Sequence, residues 1–356
     1  MRSYDLPQTG LTKNQSSALY GVAILMMLFH HLFGMPSRLP YEYKSLLGGN
    51  IEQKMAWFCK ICVAIYAFIS GYGLSASMGQ ESNIFDMYKR TGKKAVSLMR
   101  KYWLVFFLFL PGIMFFDQRN GGYQSPQTLI RSFLGLDAAY NSAWWYVQQY
   151  LVFLIEFPIF QLLLKRKKSR KEWRAPILLI SFIVIGVVLV QYYTGIDMIA
   201  FCKREYILSF YTYIFLIGMV IYRFGIFKMV DNLLEKAGGG IQAGILIFCV
   251  MIRIFLTDSM SYNKCDIFII VPFVYSLSRL LGRNQAVLSF FGMFGKYSTY
   301  MWLTHIFLTY RFLWQFVAVG RVSIVMYLLL VIESLIIAYL LQNIEIRFVR
   351  CKNGTD

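Results

Sequence analysis

The sequence predicts an all-α, polytopic membrane protein with about ten transmembrane helices around a central polar cavity. Hydrophobic residues make up 58% of the 356 residues and charged residues only 15%, whereas about a quarter of an average soluble domain is charged. A soluble chain needs charge to cover its surface, so this balance indicates lipid as the main solvent. The alternation typical of strands is absent, which disfavours a transmembrane barrel.

Ten stretches of the chain are apolar enough and long enough to be membrane-spanning helices. A hydrocarbon core of ~30 Å requires about 20 mostly apolar residues in a helix. The predicted spans, in order, are 16–34, 56–76, 96–116, 143–164, 175–194, 206–224, 241–257, 266–282, 297–317 and 322–345. They divide the chain into an N-terminal segment (1–15), a membrane domain (16–345) and a tail (346–356).

The basic residues predict the orientation of these spans. With the N-terminus inside, 24 of the 36 Lys and Arg residues fall in cytoplasmic segments, so we expect both termini to be cytoplasmic. The basic run 165–171 is the strongest anchor. A net charge of +18 would suggest nucleic acid for a soluble protein. Here we interpret it as loops that face lipid headgroups, with no nucleic-acid partner.

The sequence shows no metal site and no familiar catalytic loop. The six cysteines are scattered, and Cys59 with Cys62 has no second pair at zinc-ligand spacing. Both lie in an apolar helix, where such residues usually pack. Walker, G-x-S-x-G and HExxH motifs are also absent.

All three histidines lie within predicted spans, where polar side chains are costly. His30 and His31 lie near the outer end of the first span, and His305 lies inside the ninth. Histidine suits general acid–base catalysis near neutral pH. Tyr20, Met27 and His31 share one helix face, and His31 lies about 16 Å above Tyr20. His30 points about 100° away and is predicted to pack or support. The alternative is that these histidines only pack against neighbouring helices.

The fourth span carries a polar stripe. Trp145, Gln149 and Glu156 share one face, and Tyr150 flanks it. Pro158 is expected to break or kink this helix. The stripe could line a site or form hydrogen bonds between helices.

Four charged side chains in other spans have structural interpretations. Arg311 and Glu333 lie at similar depths on consecutive spans, so we expect an ion pair between them. Lys60 and Arg253 are expected to snorkel outward.

The second cytoplasmic segment is strongly basic. Such a cluster beside the membrane could hold anionic lipid or the phosphates of a nucleotide-bearing donor. Its members are Lys89, Arg90, Lys93, Lys94, Arg100 and Lys101.

Several segments resemble one family in order along the chain. GVAILMMLFHH (Gly21–His31) resembles the first span of bacterial membrane acyltransferase family 3, a Gly-x-Ala helix that ends in a functional His. The register places His31 at that position. CVAIYAFISGYGL (Cys62–Leu74) is similar to the second span, which ends in a Ser-Gly turn. AWWYVQQYLVFLIEFP (Ala143–Pro158) and GKYSTYMWLTH (Gly295–His305) resemble the fourth span and a C-terminal motif.

Some positions depart from the family pattern. Ser17 and Tyr20 replace an Asp and an Arg in the first span, and Tyr150 replaces a Glu in the fourth. Lys93 and Lys94 replace a pair of arginines. The resemblance is therefore to a divergent, stand-alone member without a soluble extra domain.

The resemblance implies an O-acyltransferase of the bacterial plasma membrane. Such an enzyme moves an acyl group, most simply acetyl from acetyl-CoA, to a hydroxyl of a cell-surface polysaccharide or lipid-linked glycan precursor. His31 would be the general base. Tyr20, Gln149 or Tyr150 would orient it or stabilise the oxyanion, and His305 would line the same cavity.

The donor site follows from the same resemblance. Lys93, Lys94, Arg100 and Lys101 would hold the phosphates of acyl-CoA on the cytoplasmic side, and Ser298 would line the cavity seven residues before His305. No metal is expected.

Two other functions fit the same polar pattern. A transporter or flippase for a glycan or a small anionic solute would use the stripe as a permeation path. In a receptor or assembly scaffold, the histidines would merely pack.

Overall fold

A computed structural model describes residues 10–78, 83–117, 124–164, 206–207, 209–234, 239–256 and 262–352. The regular elements in this part of the chain are helices, and the one β-type contact is an isolated bridge between Lys44 and Val322. The all-α prediction is confirmed. The predicted fifth span, 175–194, and the basic run 165–171 lie outside the described residues.

The described part contains thirteen α-helices. In chain order they are α1 (Lys13–Phe33), α2 (Gly49–Cys59), α3 (Cys62–Met78), α4 (Ile84–Phe116), α5 (Pro126–Phe133), α6 (Trp145–Leu163), α7 (Phe210–Arg223), α8 (Ile226–Leu233), α9 (Gly239–Phe255), α10 (Asp266–Gly282), α11 (Gln285–Thr309), α12 (Trp314–Ala318) and α13 (Ser323–Lys352).

Six helical stretches of the described chain are long and apolar enough to cross a membrane. They are Lys13–Phe33, Gly49–Met78, Ile84–Phe116, Ser142–Leu163, Asn263–Gly282 and Ser323–Phe348. The helices α7 and α8, which meet at 63°, would together form a seventh. The chain is therefore a multi-pass helical membrane protein, and the predicted count of ten spans is not confirmed.

The second predicted span contains a break between α2 and α3. The last carbonyls of a helix lack intrahelical partners, and here the Arg253 guanidinium donates to the carbonyls of Trp57 and Phe58 at 2.7 and 2.6 Å. Arg253 also forms an ion pair with Asp266, with 2.6 Å between Nε and Oδ1. The prediction that Arg253 snorkels outward is wrong, because fixed acceptors hold this fully buried side chain inside.

The helix that contains most of the ninth predicted span, 297–317, begins and ends earlier in the chain than predicted. Helix α11 begins at Gln285, because the Asn284 side chain caps it by accepting hydrogen bonds from two backbone amides. It ends at Thr309, not at residue 317. Beyond that end Arg311 pairs with Asp117 at 3.0 Å, so the predicted ion pair with Glu333 is wrong. Similar depth on neighbouring spans did not identify the partner, which comes from a distant segment.

Neither Pro158 nor the Ser70-Gly71 pair breaks its helix. Helix α6 runs through Pro158 to Leu163. Ser70 and Gly71 form no turn, because α3 continues to Met78. Gly71 instead allows a close helix contact: a Cβ at this position would overlap the backbone oxygen of Phe215 in α7.

Helices α1 and α11 also approach closely through glycines. A Cβ at Gly21 would overlap the backbone oxygen of Phe291, and one at Gly295 would overlap that of Ser17. Small residues of this kind let helix backbones pack closely in membranes. The Ser17 hydroxyl adds a hydrogen bond of 3.1 Å to the carbonyl of Gly292.

This contact sets the depth of two histidines. The order of the contacts along each helix shows that α1 and α11 run parallel. His31 lies ten residues after Gly21, and His305 lies ten residues after Gly295. At ~1.5 Å per residue both rings therefore reach the same level, about 15 Å beyond the glycines.

We predict that Gly295→Ala destabilises the protein and displaces His305 from His31. The added methyl group must push α1 and α11 apart, at a cost of about 1–3 kcal/mol typical of overpacking. The midpoint of thermal unfolding in detergent measures this loss. Gly292→Ala is the matched control, because its Cβ would meet only the Ser17 hydroxyl at 3.9 Å. Equal midpoints for the two variants would contradict the prediction.

Candidate active site

Two adjoining cavities lie between the helices. The larger has a volume of about 350 Å³ and the smaller about 70 Å³. Both are lined by Met27, Tyr66, Tyr146 and Trp302. These four residues therefore form the junction between the two cavities.

The larger cavity combines hydroxyl groups with two lysines. The hydroxyl-bearing residues in its wall are Tyr20, Tyr66, Ser70, Tyr146, Tyr150, Ser298 and Thr299. The lysines are Lys94 and Lys101, which share one face of α4 because they are seven residues apart. Lys93 and Arg100 lie about 100° around the helix and are exposed. Ser97, between these lysines on α4, is a further hydroxyl-bearing residue of the wall. The structure thus brings two of the four predicted donor-binding cations to the cavity.

The smaller cavity contains two of the histidines. His30, His31, Lys60 and Trp145 contribute to its wall. Nδ1 of His30 donates to the carbonyl of Ala56 at 2.7 Å, which agrees with the predicted supporting role. Lys60 belongs to this wall, so the prediction that it points outward is wrong. Lys60 lies in the break between α2 and α3.

His305 forms a directional hydrogen-bond chain with His31. Nδ1 of His305 lies 2.8 Å from the carbonyl oxygen of Trp302 and 3.2 Å from that of Met301. A carbonyl oxygen only accepts, so Nδ1 of His305 carries a proton. In the neutral ring its Nε2 is then an acceptor, and it lies 2.9 Å from Nδ1 of His31.

The hydrogen bonds of His305 determine which ring nitrogen of His31 is the proton acceptor. Because His305 accepts, Nδ1 of His31 must be the donor. The neutral His31 ring then has its lone pair on Nε2. Because His31 lines the smaller cavity, the arrangement provides a proton acceptor in the cavity wall.

The backbone around the histidine pair is fixed by further hydrogen bonds. The Tyr310 hydroxyl donates to the carbonyl of His31. The indole of Trp302 donates to the carbonyl of Ala143 at 3.0 Å, and Trp144 donates to the carbonyl of Leu303, also at 3.0 Å. These bonds join the segment before α6 to the turn of α11 that precedes His305.

Comparison with known protein families identifies the family of the chain. A family model described as an acyltransferase domain, of acyltransferase family 3, matches residues 18–342. The chain belongs to acyltransferase family 3. It is therefore a membrane acyltransferase. No curated protein and no solved structure gives a significant match.

The structure separates the predicted site residues of this family member into two groups. Tyr20, Tyr150 and Ser298 line the larger cavity. His305, expected to line the same cavity, lines neither and is connected to the smaller cavity through its hydrogen bond with His31. Gln149 also lines neither cavity. Its amide accepts from the Ser209 hydroxyl at 2.5 Å and donates to the carbonyl of Tyr206 at 3.4 Å. Gln149 thus connects α6 to the segment that precedes α7.

Sequence reasoning missed several lining residues. Tyr66, Tyr146 and Trp302 all fall within segments that resemble the acyltransferase family, yet aromatic residues are frequent throughout this chain, at 18%. Their type therefore did not distinguish them. Lys60 carried a usable signal, since a lysine inside an apolar stretch is costly and often functional.

Proposed function

We propose that this protein transfers a short acyl group, most simply acetyl from acetyl-CoA, to a hydroxyl of a cell-surface polysaccharide or lipid-linked glycan precursor. The observation that carries the proposal is the basic Nε2 of His31 in a small cavity that adjoins a larger one with two lysines. One cavity would serve the donor and the other the acceptor hydroxyl.

The larger cavity suits the arm of the donor. Its volume of about 350 Å³ lies within the range of small-molecule sites, about 300–1,000 Å³. Lys94 and Lys101 offer positive charge for phosphate groups. The nucleotide would stay outside the cavity while the pantetheine arm reaches the junction.

The smaller cavity supports a short acyl group. Its volume is about 70 Å³, which is several times the ~10–15 Å³ that one water molecule requires. A two-carbon acyl group and an incoming hydroxyl are of this size. A long acyl chain would need space elsewhere.

The chemistry uses His31 as general base. Nε2 of His31 takes the proton of the acceptor hydroxyl while its oxygen bonds to the carbonyl carbon of the thioester. The carbon–sulfur bond then breaks, and the thiolate takes the proton back from the imidazolium. His305 positions His31, because it accepts the hydrogen bond from Nδ1 in both states.

The proposed location follows from the charges. In the bacterial plasma membrane with both termini cytoplasmic, Lys94 and Lys101 would lie on the side where acyl-CoA is available. The same surface would contact anionic lipid headgroups.

We predict that His31→Ala lowers the transfer rate by about 10²- to 10⁴-fold, the usual contribution of a general base. The measurement is the O-acetyl content of surface glycans, by mass spectrometry, in cells that express each variant. Purified protein is also tested for saturable binding of acetyl-CoA. His30→Ala is the control and should lose far less, because its ring is bonded to Ala56.

Two outcomes would contradict this proposal. Full transfer by a correctly inserted His31→Ala protein would remove the assigned base. Wild-type protein without saturable acetyl-CoA binding would favour a transporter or flippase instead.

A second prediction concerns the hydrogen bond between His305 and His31. His305→Phe removes the acceptor for Nδ1 of His31, and we expect a loss of about 10- to 100-fold in kcat, typical when the partner that orients a functional histidine is removed. The dissociation constant of acetyl-CoA should not change. His305→Gln, whose amide oxygen can accept, should recover part of the rate. Equal rates for the Phe and Gln variants would argue against positioning by this bond.

A third prediction tests the two lysines at the larger cavity. Lys101→Ala should weaken acetyl-CoA binding about tenfold, the value of one charge-assisted hydrogen bond. Lys94→Ala should weaken it by about two- to fivefold, because this side chain is more exposed. Isothermal titration at low and high salt measures both effects.

Two controls isolate the phosphate contacts. Lys89→Ala removes the same charge from an exposed position of α4 that lines neither cavity, and it should bind normally. S-acetylpantetheine lacks the nucleotide, so the lysine variants should bind it as the wild type does. Weaker binding of both ligands would show that the lysines do not contact phosphate.

A further inference from the structure

Two tyrosines with buried hydroxyl groups line the junction between the two cavities. Tyr66 in α3 and Tyr146 in α6 line both cavities. Both hydroxyl oxygens are buried. That of Tyr146 has no hydrogen-bond partner among the described residues, and that of Tyr66 has only the Ser298 hydroxyl beside it, outside ordinary hydrogen-bond geometry. An unsatisfied buried group costs about 1–3 kcal/mol, so two of them at one place require an explanation.

Among the described residues that line the two cavities, buried hydroxyls of this kind occur at the junction. Other buried side-chain oxygens also lack partners in the part of the chain that the structure describes. None of these others belongs to a residue that lines either cavity. Among the described residues, the buried unsatisfied hydroxyls of the cavity walls are thus restricted to the place where the proposed donor arm would meet the proposed base.

Aromatic packing fixes both rings. The ring of Tyr66 lies 5.3 Å from that of Tyr20 and 6.3 Å from that of Tyr146. Tyr146 packs edge-to-face against Trp302 at 5.8 Å. The indole N–H of Trp302 is already donated to Ala143. The two tyrosine hydroxyls are therefore the fixed donors that stay available at the junction.

We propose that Tyr66 and Tyr146 form the oxyanion-stabilising pair of the acyl transfer, with the thioester carbonyl bound between the two cavities. This inference rests on the proposed function. Fixed donors aimed at developing negative charge often supply the largest share of catalysis.

The electron balance of the step gives the tyrosines a defined role. The acceptor oxygen bonds to the carbonyl carbon, and the pair of the carbon–oxygen double bond moves to the carbonyl oxygen. That oxygen becomes an anion and accepts hydrogen bonds from both phenols, which keep their protons. The proton of the acceptor hydroxyl goes to His31. The electron pair returns when the carbon–sulfur bond breaks.

Three residues expected to stabilise the oxyanion have other surroundings. Tyr20 and Tyr150 line only the larger cavity, so they contact the donor arm and not the reacting carbonyl. Gln149 is engaged with Ser209. The oxyanion role expected for these three residues therefore passes to Tyr66 and Tyr146.

The test compares Tyr66→Phe and Tyr146→Phe with the wild type. Purified protein is assayed with acetyl-CoA and a surface-glycan fraction from the host cell as acceptor. Each variant should lower kcat by about 10²- to 10³-fold, the effect of removing one oxyanion donor. The dissociation constant of acetyl-CoA should stay unchanged. The midpoint of thermal unfolding should not fall, because neither hydroxyl forms a hydrogen bond of ordinary geometry with the described residues.

Tyr41→Phe is the matched control. Its hydroxyl is also buried without a partner in the described part of the chain, but it lies outside both cavities, where its ring stacks on Trp314 at 5.3 Å. This variant should keep the wild-type kcat.

The possible results separate the two proposals. Wild-type kcat in both cavity variants, or a weaker acetyl-CoA affinity with unchanged kcat, would overturn the oxyanion assignment while leaving the acyltransferase proposal intact. A lower unfolding midpoint in step with kcat would also overturn it, because the hydroxyls would then be structural. Absence of acetyl-CoA binding and transfer in the wild type would instead contradict the proposed function itself.

Discussion

The close approach of α1 and α11 is the constraint on which the site depends. In lipid, helices gain little from burying apolar surface, so van der Waals packing and interhelical hydrogen bonds hold them together. Gly21 and Gly295 let two backbones meet where any Cβ would overlap a carbonyl oxygen. Because the helices are parallel, this one contact also brings His31 and His305 to the same depth.

The polar groups at that depth form a directed chain. A backbone carbonyl can only accept, so the proton arrangement of His305 is fixed by Trp302, and that of His31 is fixed by His305. The two hydrogen-bonded histidine rings are neutral. This suits a site far from water, where an unpaired charge is costly. The basic end of this hydrogen-bond chain lies at a cavity, whereas its other end is bonded to backbone. Of the four ring nitrogens of His31 and His305, Nε2 of His31 is thus the one that remains as a proton acceptor.

A buried ion pair supports the opposite wall of the site. Arg253 and Asp266 come from different helices, and Arg253 also satisfies the last carbonyls of α2. The chain can therefore break inside an apolar span between α2 and α3. Lys60 lies in this break and Tyr66 follows it in α3, and both residues line the cavities.

The sequence by itself determined the class of the protein and identified His31 as the candidate base. Hydropathy and helical spacing are local properties, so they were sufficient to predict an all-α membrane protein with His31 and Tyr20 on one helix face. The order of the motifs along the chain also indicated the acyltransferase family. Only the tertiary structure decided the partners: His305 for His31, Asp117 for Arg311 and the segment before α7 for Gln149. Spacing fixes where a side chain points on its own helix. The rotation and depth of one helix against another depend on packing between segments far apart in sequence.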